Sequence, residues 1–571
     1  MYSNLTKMER MLSSIQYSLP NELEQAFRAE LDGWRDTGKV ARIWQKDASV
    51  WTNDDEATWL GWLDIVDEEI SNTKKYRAYY DDISAAGFTD VLLLGMGGSS
   101  LCPEVLAMTF GKTNFHILDS TVPTQVRTVE SKIDLEKTLF IVASKSGSTL
   151  EPNCFKQYFY ERVAERVGRE NAGRHFVAIT DPGSKMERIA KSDGFRHIFY
   201  GKPEIGGRFS ALSAFGLTAA ASMGLDVEQL LSRANEMAAA CKNADPEINP
   251  GALLGAILGV CHSSGRDKLT IFTSPEIHDL GAWLEQLIAE STGKNGVAII
   301  PVDREPLRPA DAYGNDRVFA FLNIKGGSNF DAEFDSIKAA DHPAVRIELE
   351  SIDNIGQEFF RWEFATSVAG SIMRINPFNQ PDVESAKVEA RKLTDEYEKA
   401  GELPPEQPFF QDDDLALFTS AFEEANLTTV TEHPSGRAFI QNFLSSLEPG
   451  DYFGLLAYVE MDREHERLLQ AIREKILKAY GNATCLGFGP RFLHSTGQAY
   501  KGGANNGVFL QITSDDAFDL PVPGQKYTFG VVKAAQARGD FQVLLDRGRR
   551  ALRVHLGAEV TEGLRHLESL I

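Results

Sequence analysis

Cysteine is scarce in this chain of 571 residues, and its five copies form no recognisable pattern. None of them lies in a CxxC or Cys/His arrangement of the kind that binds a structural zinc ion. A disulfide framework is therefore not expected. We predict that the thiols are small buried apolar groups in a reducing cytoplasm; they are Cys102, Cys154, Cys241, Cys261 and Cys485.

Long apolar runs and an excess of basic residues are also lacking. No window approaches the roughly 18 uninterrupted apolar residues that a membrane-spanning helix needs. The first residues, MYSNLTKMERML, do not have the basic-then-apolar layout of a signal peptide. The formal net charge of −23 argues against a nucleic-acid-binding protein, which needs a basic surface. We therefore expect a cytoplasmic protein with neither a membrane nor a nucleic-acid partner.

The pattern of predicted elements divides the chain into four parts. The Trp-rich start, residues 1–84, is predicted to be a helical segment whose tryptophans serve in packing. Two series of apolar strands alternating with helical patterns predict a first α/β sandwich over 85–245 and a second over 246–400, each with a parallel sheet covered on both faces. After a proline-containing linker at 398–414, residues 401–571 are predicted to form a C-terminal α/β addition.

Short apolar runs bounded by Gly, Ser or Asp predict the strands of these sheets. They are Val91–Leu94, Leu139–Ala143, Phe176–Ile179, Leu269–Phe272, Val297–Val302, Val318–Ile324, Ala344–Leu349 and Tyr452–Val459. In parallel sheets of this kind, ligands bind at the carboxyl ends of the strands.

Two turns that follow predicted strands have the composition of an anion-binding site. Gly95–Ser100 (GMGGSS) lets the backbone approach an anion closely, although serine at position 100 excludes a dinucleotide fingerprint. Ser144–Thr149 (SKSGST) brings four hydroxyls and one ammonium group to the start of a helix. We predict a monophosphate cradle there, with a serine-rich N-cap turn as the alternative for the second segment alone.

Three charged or polar side chains are candidates for the chemistry. Arg208, in the GGRFS segment, either stabilises a developing oxyanion or forms an ordinary surface pair. The amphipathic helix predicted at Asp279–Glu290 places Gln286 and Glu290 four residues apart on one face. Glu290, at the end of this helix beside a glycine-containing turn, is either a general base or a solvated acid.

Taken in order, these motifs resemble those of the phosphoglucose isomerase family. GMGGSS, SKSGSTLE, GGRFS, the segment from Gln286 to Lys294 and Asn376–Lys387 (NPFNQPDVESAK) match its segments over roughly residues 85–395. By this resemblance the two sandwiches are sugar-isomerase (SIS) domains. The Trp-rich start and the part beyond 400 look most like the isomerase portion of bacterial transaldolase–isomerase fusions, without a transaldolase portion.

The resemblance implies an aldose–ketose isomerase that interconverts glucose 6-phosphate and fructose 6-phosphate through a cis-enediolate, with no metal and no other cofactor. Glu290 would be the base, Arg208 would stabilise the enediolate, and Lys387 would help to open the sugar ring. Gln286 and Gln380 would orient the sugar. The phosphate would be bound at the two turns, by residues among Gly97, Gly98, Ser99, Ser144, Lys145, Ser146 and Thr149.

The ring-opening histidine of the family lies in an LHSxGQ-like segment between its glutamate and its lysine, where this chain has only His342. Here LHSTGQ occurs after Lys387, so His494 is predicted to act from a relocated segment, with an uninvolved structural histidine as the alternative. Lys533 in FGVVKAAQ is a weaker match to the lysine motif than Lys387. Because the family's histidine typically crosses a dimer interface, a homodimer is a further expectation.

Three other functions are weighed against this one. A SIS domain also serves as a non-catalytic sugar-phosphate-binding regulator, but this chain has no basic helix-turn-helix segment and retains the glutamate and the lysine. A dual-specificity phosphoglucose/phosphomannose isomerase would share the phosphate cradle, and the residues near Gln380 and His494 do not exclude it. The third alternative is one half of a split transaldolase–isomerase system with a separate partner.

Overall fold

The computed structural model describes residues 14–431 and 433–571. The first residues of the predicted N-terminal segment, on which the expectation about a signal peptide depends, lie outside this part. Within it the chain forms sheets of five, five and six strands that are covered by helices. The predicted α/β class with mainly parallel sheets is confirmed.

Strands and helices of the described residues are numbered here in chain order. The strands are β1 Ile15–Ser18, β2 Asp90–Leu94, β3 Phe115–Leu118, β4 Thr138–Ala143, β5 Phe176–Thr180, β6 His197–Tyr200, β7 Lys268–Thr273, β8 Ile300–Asp303, β9 Arg317–Ile324, β10 Ala344–Leu349, β11 Phe410–Gln411, β12 Leu415–Phe418, β13 Tyr452–Ala457, β14 Ala483–Phe488, β15 Gly507–Ser514 and β16 Arg550–Leu556. The helices are α1 Asn21–Thr37, α2 Lys39–Trp44, α3 Trp62–Ile70, α4 Thr73–Ala85, α5 Leu101–Thr109, α6 Pro123–Ser131, α7 Leu150–Val167, α8 Arg169–Ala172, α9 Lys185–Ser192, α10 Ala214–Ser222, α11 Val227–Ala240, α12 Pro250–Ser263, α13 Leu280–Thr292, α14 Asp331–Ala339, α15 Ile355–Ile372, α16 Val383–Ala400, α17 Ala421–Val430, α18 Gly436–Leu444, α19 Arg463–Tyr480, α20 Gly497–Gly502, α21 Phe529–Asp546 and α22 Val560–Leu570.

The first sheet has the strand order β3-β2-β4-β5-β6, with every neighbouring pair parallel. Its central strands β4 and β5 are buried along their whole length, which is why their apolar runs could be predicted. The edge strands β3 and β6 were not predicted. Because β2 and β4 are adjacent and parallel, the turns that follow them lie side by side.

The second sheet has the order β1-β10-β9-β7-β8. Its strands are parallel except for β1, which pairs antiparallel with β10. Strand β1 comes from the N-terminal segment, so this segment is not wholly helical as predicted. Its short strand extends the second sheet at the edge.

The third sheet has the order β11-β12-β16-β15-β13-β14. Strands β16, β15, β13 and β14 are parallel, and β12 and β11 add an antiparallel edge. The C-terminal addition is therefore a complete α/β unit, and β13 is the one strand of it that the sequence predicted. We propose 85–245, 246–400 and 401–571 as the three α/β units and refer to them below as the first, second and third units.

The N-terminal tryptophans serve in packing, as predicted. Trp34 and Trp62 have side chains no more than 1% exposed and lie in the apolar core shared by the first and second units. Trp51 donates its indole N–H to the carbonyl oxygen of Ser367 at 2.8 Å and packs edge-on against Phe378. The segment thus joins the two sandwiches.

The third unit packs closely against the helix that carries Lys387. Gly539 of α21 faces α16 so closely that a Cβ atom there would lie 2.8 Å from the backbone nitrogen of Ala390. A side chain at position 539 would therefore force the two helices apart. This packing places α21 directly beside α16, the helix that carries Lys387.

All five cysteines are buried and unpaired, which confirms that they pack as small apolar side chains. Burial raises the pKa of the thiols of Cys241 and Cys261 to about 12, so both stay protonated at neutral pH. Of the helices in the described ranges, none has the length and apolarity that crossing a bilayer requires.

Candidate active site

The Gly95–Ser100 turn is the point at which segments from all three units meet. Gly97 has a φ of +54°, and a Cβ atom there would lie 2.7 Å from the carbonyl oxygen of His494. At Gly98 a Cβ atom would lie 2.1 Å from the carbonyl oxygen of Gly207. Both positions therefore require glycine, since any side chain would separate the turn from its neighbours.

The Ser144–Thr149 turn ends at the N-terminus of α7. The Gly147 N–H donates to Ser144 Oγ at 3.2 Å, and Ser144 Oγ lies 3.4 Å from Thr149 Oγ1. Thr149 occupies the N-cap position without a side-chain cap bond, so the alternative of a serine-rich N-cap is not supported here. The first-turn N–H groups of α7 and the exposed Ser146 hydroxyl together offer donors to an anion.

Lys145 is anchored at the side of this turn. Its Nζ donates to the carbonyl oxygen of Pro203 at 2.9 Å and lies 3.0 Å from Asp181 Oδ2. The same ammonium group is 5.6 Å from the centre of the Trp59 ring. The Trp-rich segment therefore also borders the predicted phosphate cradle.

Glu290 lies in the last turn of α13, with a side chain that is 9% exposed. Its Oε1 is 3.4 Å from Arg208 Nη1, and its Oε2 accepts a hydrogen bond from Gln286 Nε2 at 3.1 Å. The alternative of a solvated acid is wrong for this carboxylate. The predicted pairing of Gln286 and Glu290 on one helical face is observed directly.

Arg208 is wholly buried, so the alternative of a surface pair is also wrong. Its guanidinium makes four hydrogen bonds and one ion pair. Besides Glu290, it reaches Ser291 Oγ at 2.7 Å, Gln380 Oε1 at 2.7 Å, and the carbonyl oxygens of Pro377 at 2.7 Å and Asn379 at 3.0 Å. Burial lowers the pKa of the guanidinium from its ordinary value, and the charge of Glu290 opposes this shift. Arg208 is therefore a fixed cation, with Gln380 held beside it.

His494 lies within reach of the first unit of its own chain. Its Nε2 is 2.9 Å from Glu151 Oε1, and its carbonyl oxygen accepts from Gln286 Nε2 at 2.7 Å. Burial alone would raise the pKa of Glu151, but the charge and hydrogen bond of His494, with a contribution from Lys387, hold it below its ordinary value. Glu151 is therefore ionised at neutral pH.

Lys387 is the most exposed of the predicted catalytic residues. It lies in the second turn of α16 with a side chain 38% exposed, and its ammonium group is 3.6 Å from Glu384. Its positive charge nevertheless acts on Glu151. The structure thus places Lys387 at the mouth of the cluster rather than against Glu290.

Two other residues were considered for the catalytic lysine and histidine, namely Lys533 and His342, and both lie away from the cluster. Lys533 is buried in the third unit, where it donates to the carbonyl oxygen of Ser514 at 3.0 Å and to Asp516 at 2.6 Å. His342 bonds the carbonyl oxygen of Ala310 at 3.2 Å and packs edge-on against Phe319. Neither residue contacts the cluster around Glu290.

Sequence reasoning missed three polar residues that hold this cluster together, although each lies in a quoted motif. Glu151 ends SKSGSTLE and bonds His494. Gln498 ends LHSTGQ: its Oε1 accepts from the backbone N–H groups of Asp382 and Val383, and its Nε2 donates to Gly293 at 2.8 Å. Gln536 ends FGVVKAAQ and donates to Glu151. The sequence signal that could have identified these residues is a glutamate or glutamine at the last position of each motif.

A buried lysine was also missed. Lys294 is 2% exposed, and its Nζ donates to the carbonyl oxygen of Asn376 at 2.5 Å. Burial, reinforced by the charge of Arg208, lowers its pKa well below the ordinary value. The described ranges contain no cluster of three or more His, Cys, Asp or Glu side chains arranged to hold a metal ion.

Comparison with known proteins places this chain in a family. The family model described as Phosphoglucose isomerase matches residues 71–301. A probable glucose-6-phosphate isomerase of Natronomonas pharaonis is 30% identical over 355 residues, which cover 55% of this chain and 81% of that protein. The chain belongs to the phosphoglucose isomerase family.

Two further proteins are similar to this member of the phosphoglucose isomerase family. The glucose-6-phosphate isomerase of Methanocaldococcus jannaschii is 28% identical over 365 residues, covering 57% of this chain and 88% of that protein. Among solved structures, a hypothetical protein from Thermus thermophilus is similar with a TM-score of 0.58 and 24% identity, covering 66% of this chain and 99% of that one. This last likeness supports the fold.

Proposed function

We propose that this protein interconverts glucose 6-phosphate and fructose 6-phosphate. The family relatives carry that activity in their names. The observation in this chain that supports it most is the buried triad of Glu290, Arg208 and Gln286, because a carboxylate beside a fixed cation is what proton transfer next to a carbonyl group requires. A regulatory sugar-phosphate sensor would not need this pairing.

The phosphate of the substrate is assigned to the turns after β2 and β4. Its donors would be the Ser144, Ser146 and Thr149 hydroxyls, the free N–H groups of α7 and the Lys145 ammonium group, with Gly97, Gly98 and Ser99 alongside. A phosphate held away from the reacting carbons supplies binding energy that orients C1 and C2. The side-by-side position of the two turns supports this assignment.

Ring opening is assigned to His494 and Lys387. Opening a cyclic hemiacetal needs one group to protonate the ring oxygen and another to remove the proton of the anomeric hydroxyl. The Glu151 carboxylate accepts from His494 Nε2 and thereby leaves Nδ1 as the nitrogen that exchanges a proton with the sugar. Lys387, at the mouth of the cluster, supplies the second group.

Isomerisation itself is assigned to Glu290. Its carboxylate takes the proton from C2 of the opened aldose and returns it to C1 by way of an enediolate. The hydroxyl proton of O2 passes to O1 in the same conversion, so that C2 becomes the carbonyl carbon and O1 a hydroxyl group. Arg208 stabilises the negative oxygen of the enediolate. To do so, its Nη1 releases its contact with Gln380 or Glu290 and donates to the substrate oxygen instead. Gln286 and Gln380 orient the hydroxyl groups.

One chain is proposed to hold the whole site. His494 reaches Glu151 and Gln286 of its own chain, so a homodimer, although expected from the resemblance, is not needed to complete it. Activity per chain should therefore stay constant on dilution below any dimer dissociation constant. The five free buried thiols support a reducing compartment such as the cytoplasm.

The decisive experiment is a coupled assay of the purified chain with fructose 6-phosphate, glucose 6-phosphate and mannose 6-phosphate in turn. We expect turnover of fructose 6-phosphate and glucose 6-phosphate but not of mannose 6-phosphate. Turnover of mannose 6-phosphate would establish the dual-specificity alternative, and tight binding without turnover would establish the regulatory one. Activity that appears only with an added transaldolase would point to the split system.

A further inference from the structure

The carboxylate of Glu151 has a second partner, which comes from the third unit. Its Oε1 accepts a hydrogen bond from Gln536 Nε2 at 2.5 Å, in addition to its contact with His494. Gln536 lies on α21 and is 4% exposed, as is Glu151. The two residues are 385 positions apart in the chain. A buried contact over that distance is unlike the exposed pair of Gln542 with Asp546 on the same helix.

The orientation of the Gln536 amide is fixed from both ends. Its Oε1 accepts a hydrogen bond from Thr121 Oγ1 at 2.7 Å, so its NH₂ group must face Glu151. The reverse orientation would place two acceptor oxygens against each other beside an ionised carboxylate. The result is an ordered series of hydrogen bonds from Thr121 through Gln536 to Glu151, with His494 donating from the other side.

We propose that Gln536 is a positioning residue for ring opening, which acts by fixing the Glu151 carboxylate that sets the tautomer of His494. This inference rests on the proposed isomerase function. With Glu151 ionised, His494 carries its proton on Nε2 and leaves Nδ1, which has no hydrogen bond to the described residues, free for the sugar. Gln536 holds Glu151 Oε1 in place, so His494 keeps its acceptor.

Removal of the Gln536 donor has a defined structural consequence. Among the described residues, His494 would then be the one side-chain donor left to Glu151 Oε1. A buried carboxylate that has lost one of its two side-chain donors would be free to rotate. We therefore expect the imidazole of His494 to lose its fixed tautomer and ring opening to slow.

The test uses Gln536→Met and, as a milder change, Thr121→Val, which removes only the hydroxyl that fixes the amide. Gln542→Met is the matched control, because Gln542 is on the same helix and bonds Asp546 at the surface. With fructose 6-phosphate, kcat/KM should fall about 10-fold or more for Gln536→Met, less for Thr121→Val, and not for the control.

The readout that separates positioning from mere packing is the ¹⁵N-histidine NMR spectrum. The imidazole signal that disappears in His494→Asn should show the Nε2–H tautomer in the intact protein and a mixture of the two neutral tautomers in Gln536→Met. An Nδ1–H tautomer in the intact protein, or an unchanged Nε2–H tautomer in Gln536→Met, would overturn the inference. If the intact chain turns over no hexose phosphate while the change of tautomer appears, the proposed function fails and the coupling of Gln536 to His494 stands.

Discussion

Gln286 Nε2 donates a hydrogen bond to the carbonyl oxygen of His494 at 2.7 Å and another to Glu290 Oε2 at 3.1 Å. One amide group therefore connects the proposed base to the relocated histidine segment. Because the three residues come from the second and third units, the geometry of the site depends on how these units pack. The third unit is a structural part of the candidate site.

Replacing Glu290 by Gln should abolish exchange of the C2 proton while substrate binding stays nearly intact. The amide keeps the size of the side chain but cannot accept a proton, so kcat should fall by about 10²–10⁴. The measurement is deuterium exchange at C2 of glucose 6-phosphate in D₂O together with a binding isotherm. Glu396→Gln, an exposed position on α16, is the control. Normal turnover in Glu290→Gln would show that the base is another residue.

Replacing Gln498 by Leu should destabilise the protein and reduce activity together. The substitution leaves the buried backbone N–H groups of Asp382 and Val383 without acceptors, at a cost of about 2–4 kcal/mol. It also frees the first turn of the helix that carries Lys387. Urea unfolding and kcat for fructose 6-phosphate are the measurements. Gln229→Leu, on an exposed face of α11, should change neither, and equal unfolding midpoints for the two variants would contradict the role assigned to Gln498.

Although β15 is buried along its whole length and was missed, several other strands could be predicted because their side chains are buried on both faces. β4, β5 and β7 are examples, since a continuous apolar run is enough to identify them. Strands β3 and β6 were missed because they lie at sheet edges, where a run such as FHIL or HIFY is short and only half-buried. Strand β1 was missed because only its pairing with the distant β10 makes it a strand.

The candidate site likewise contains some residues that the sequence could identify and others that it could not. Gly97, Ser144 and Glu290 belong to local motifs at the ends of strands or helices, so sequence was sufficient to single them out. The contributions of Glu151, Gln498 and Gln536 arise from contacts between segments that are more than a hundred residues apart. No local pattern encodes such a contact. The packing of the third unit had to be known first.

Glu285, one residue before Gln286, should make the protein less stable at alkaline pH. Burial and the nearby charge of Asp303 raise the pKa of Glu285 to about 8. In the unfolded chain the same group ionises near its ordinary value, so its contribution to stability falls as the pH rises from about 4.5 to 8. Glu285→Gln should therefore melt above the unmodified protein at pH 8.5, and the two should converge near pH 5.

The measurement is thermal unfolding of both proteins across that range. Glu396→Gln should show no such pH-dependent difference, because its side chain is exposed. A Glu285→Gln variant that melts below the unmodified protein at pH 8.5, with the difference closing as the pH falls, would have the wrong sign for a raised pKa. That result would mean that Glu285 is ionised and paired in the folded state.

Glu305→Ala should loosen the contact between the second and third units. Glu305 pairs with Arg317 through two hydrogen bonds of 3.0 and 3.1 Å and accepts from the backbone N–H of Thr484 in β14 at 2.9 Å, all in the interior. Loss of the carboxylate leaves the buried Arg317 charge without its partner, at a cost of about 3–5 kcal/mol. Because His494 and Gln498 belong to the third unit, isomerase activity should be lost at a lower urea concentration than in the unmodified protein. Glu350→Ala breaks an exposed pair with Lys325 and should cost about 0–1 kcal/mol. Equal urea midpoints for the two variants would mean that the Glu305 pair does not hold the third unit against the rest of the site.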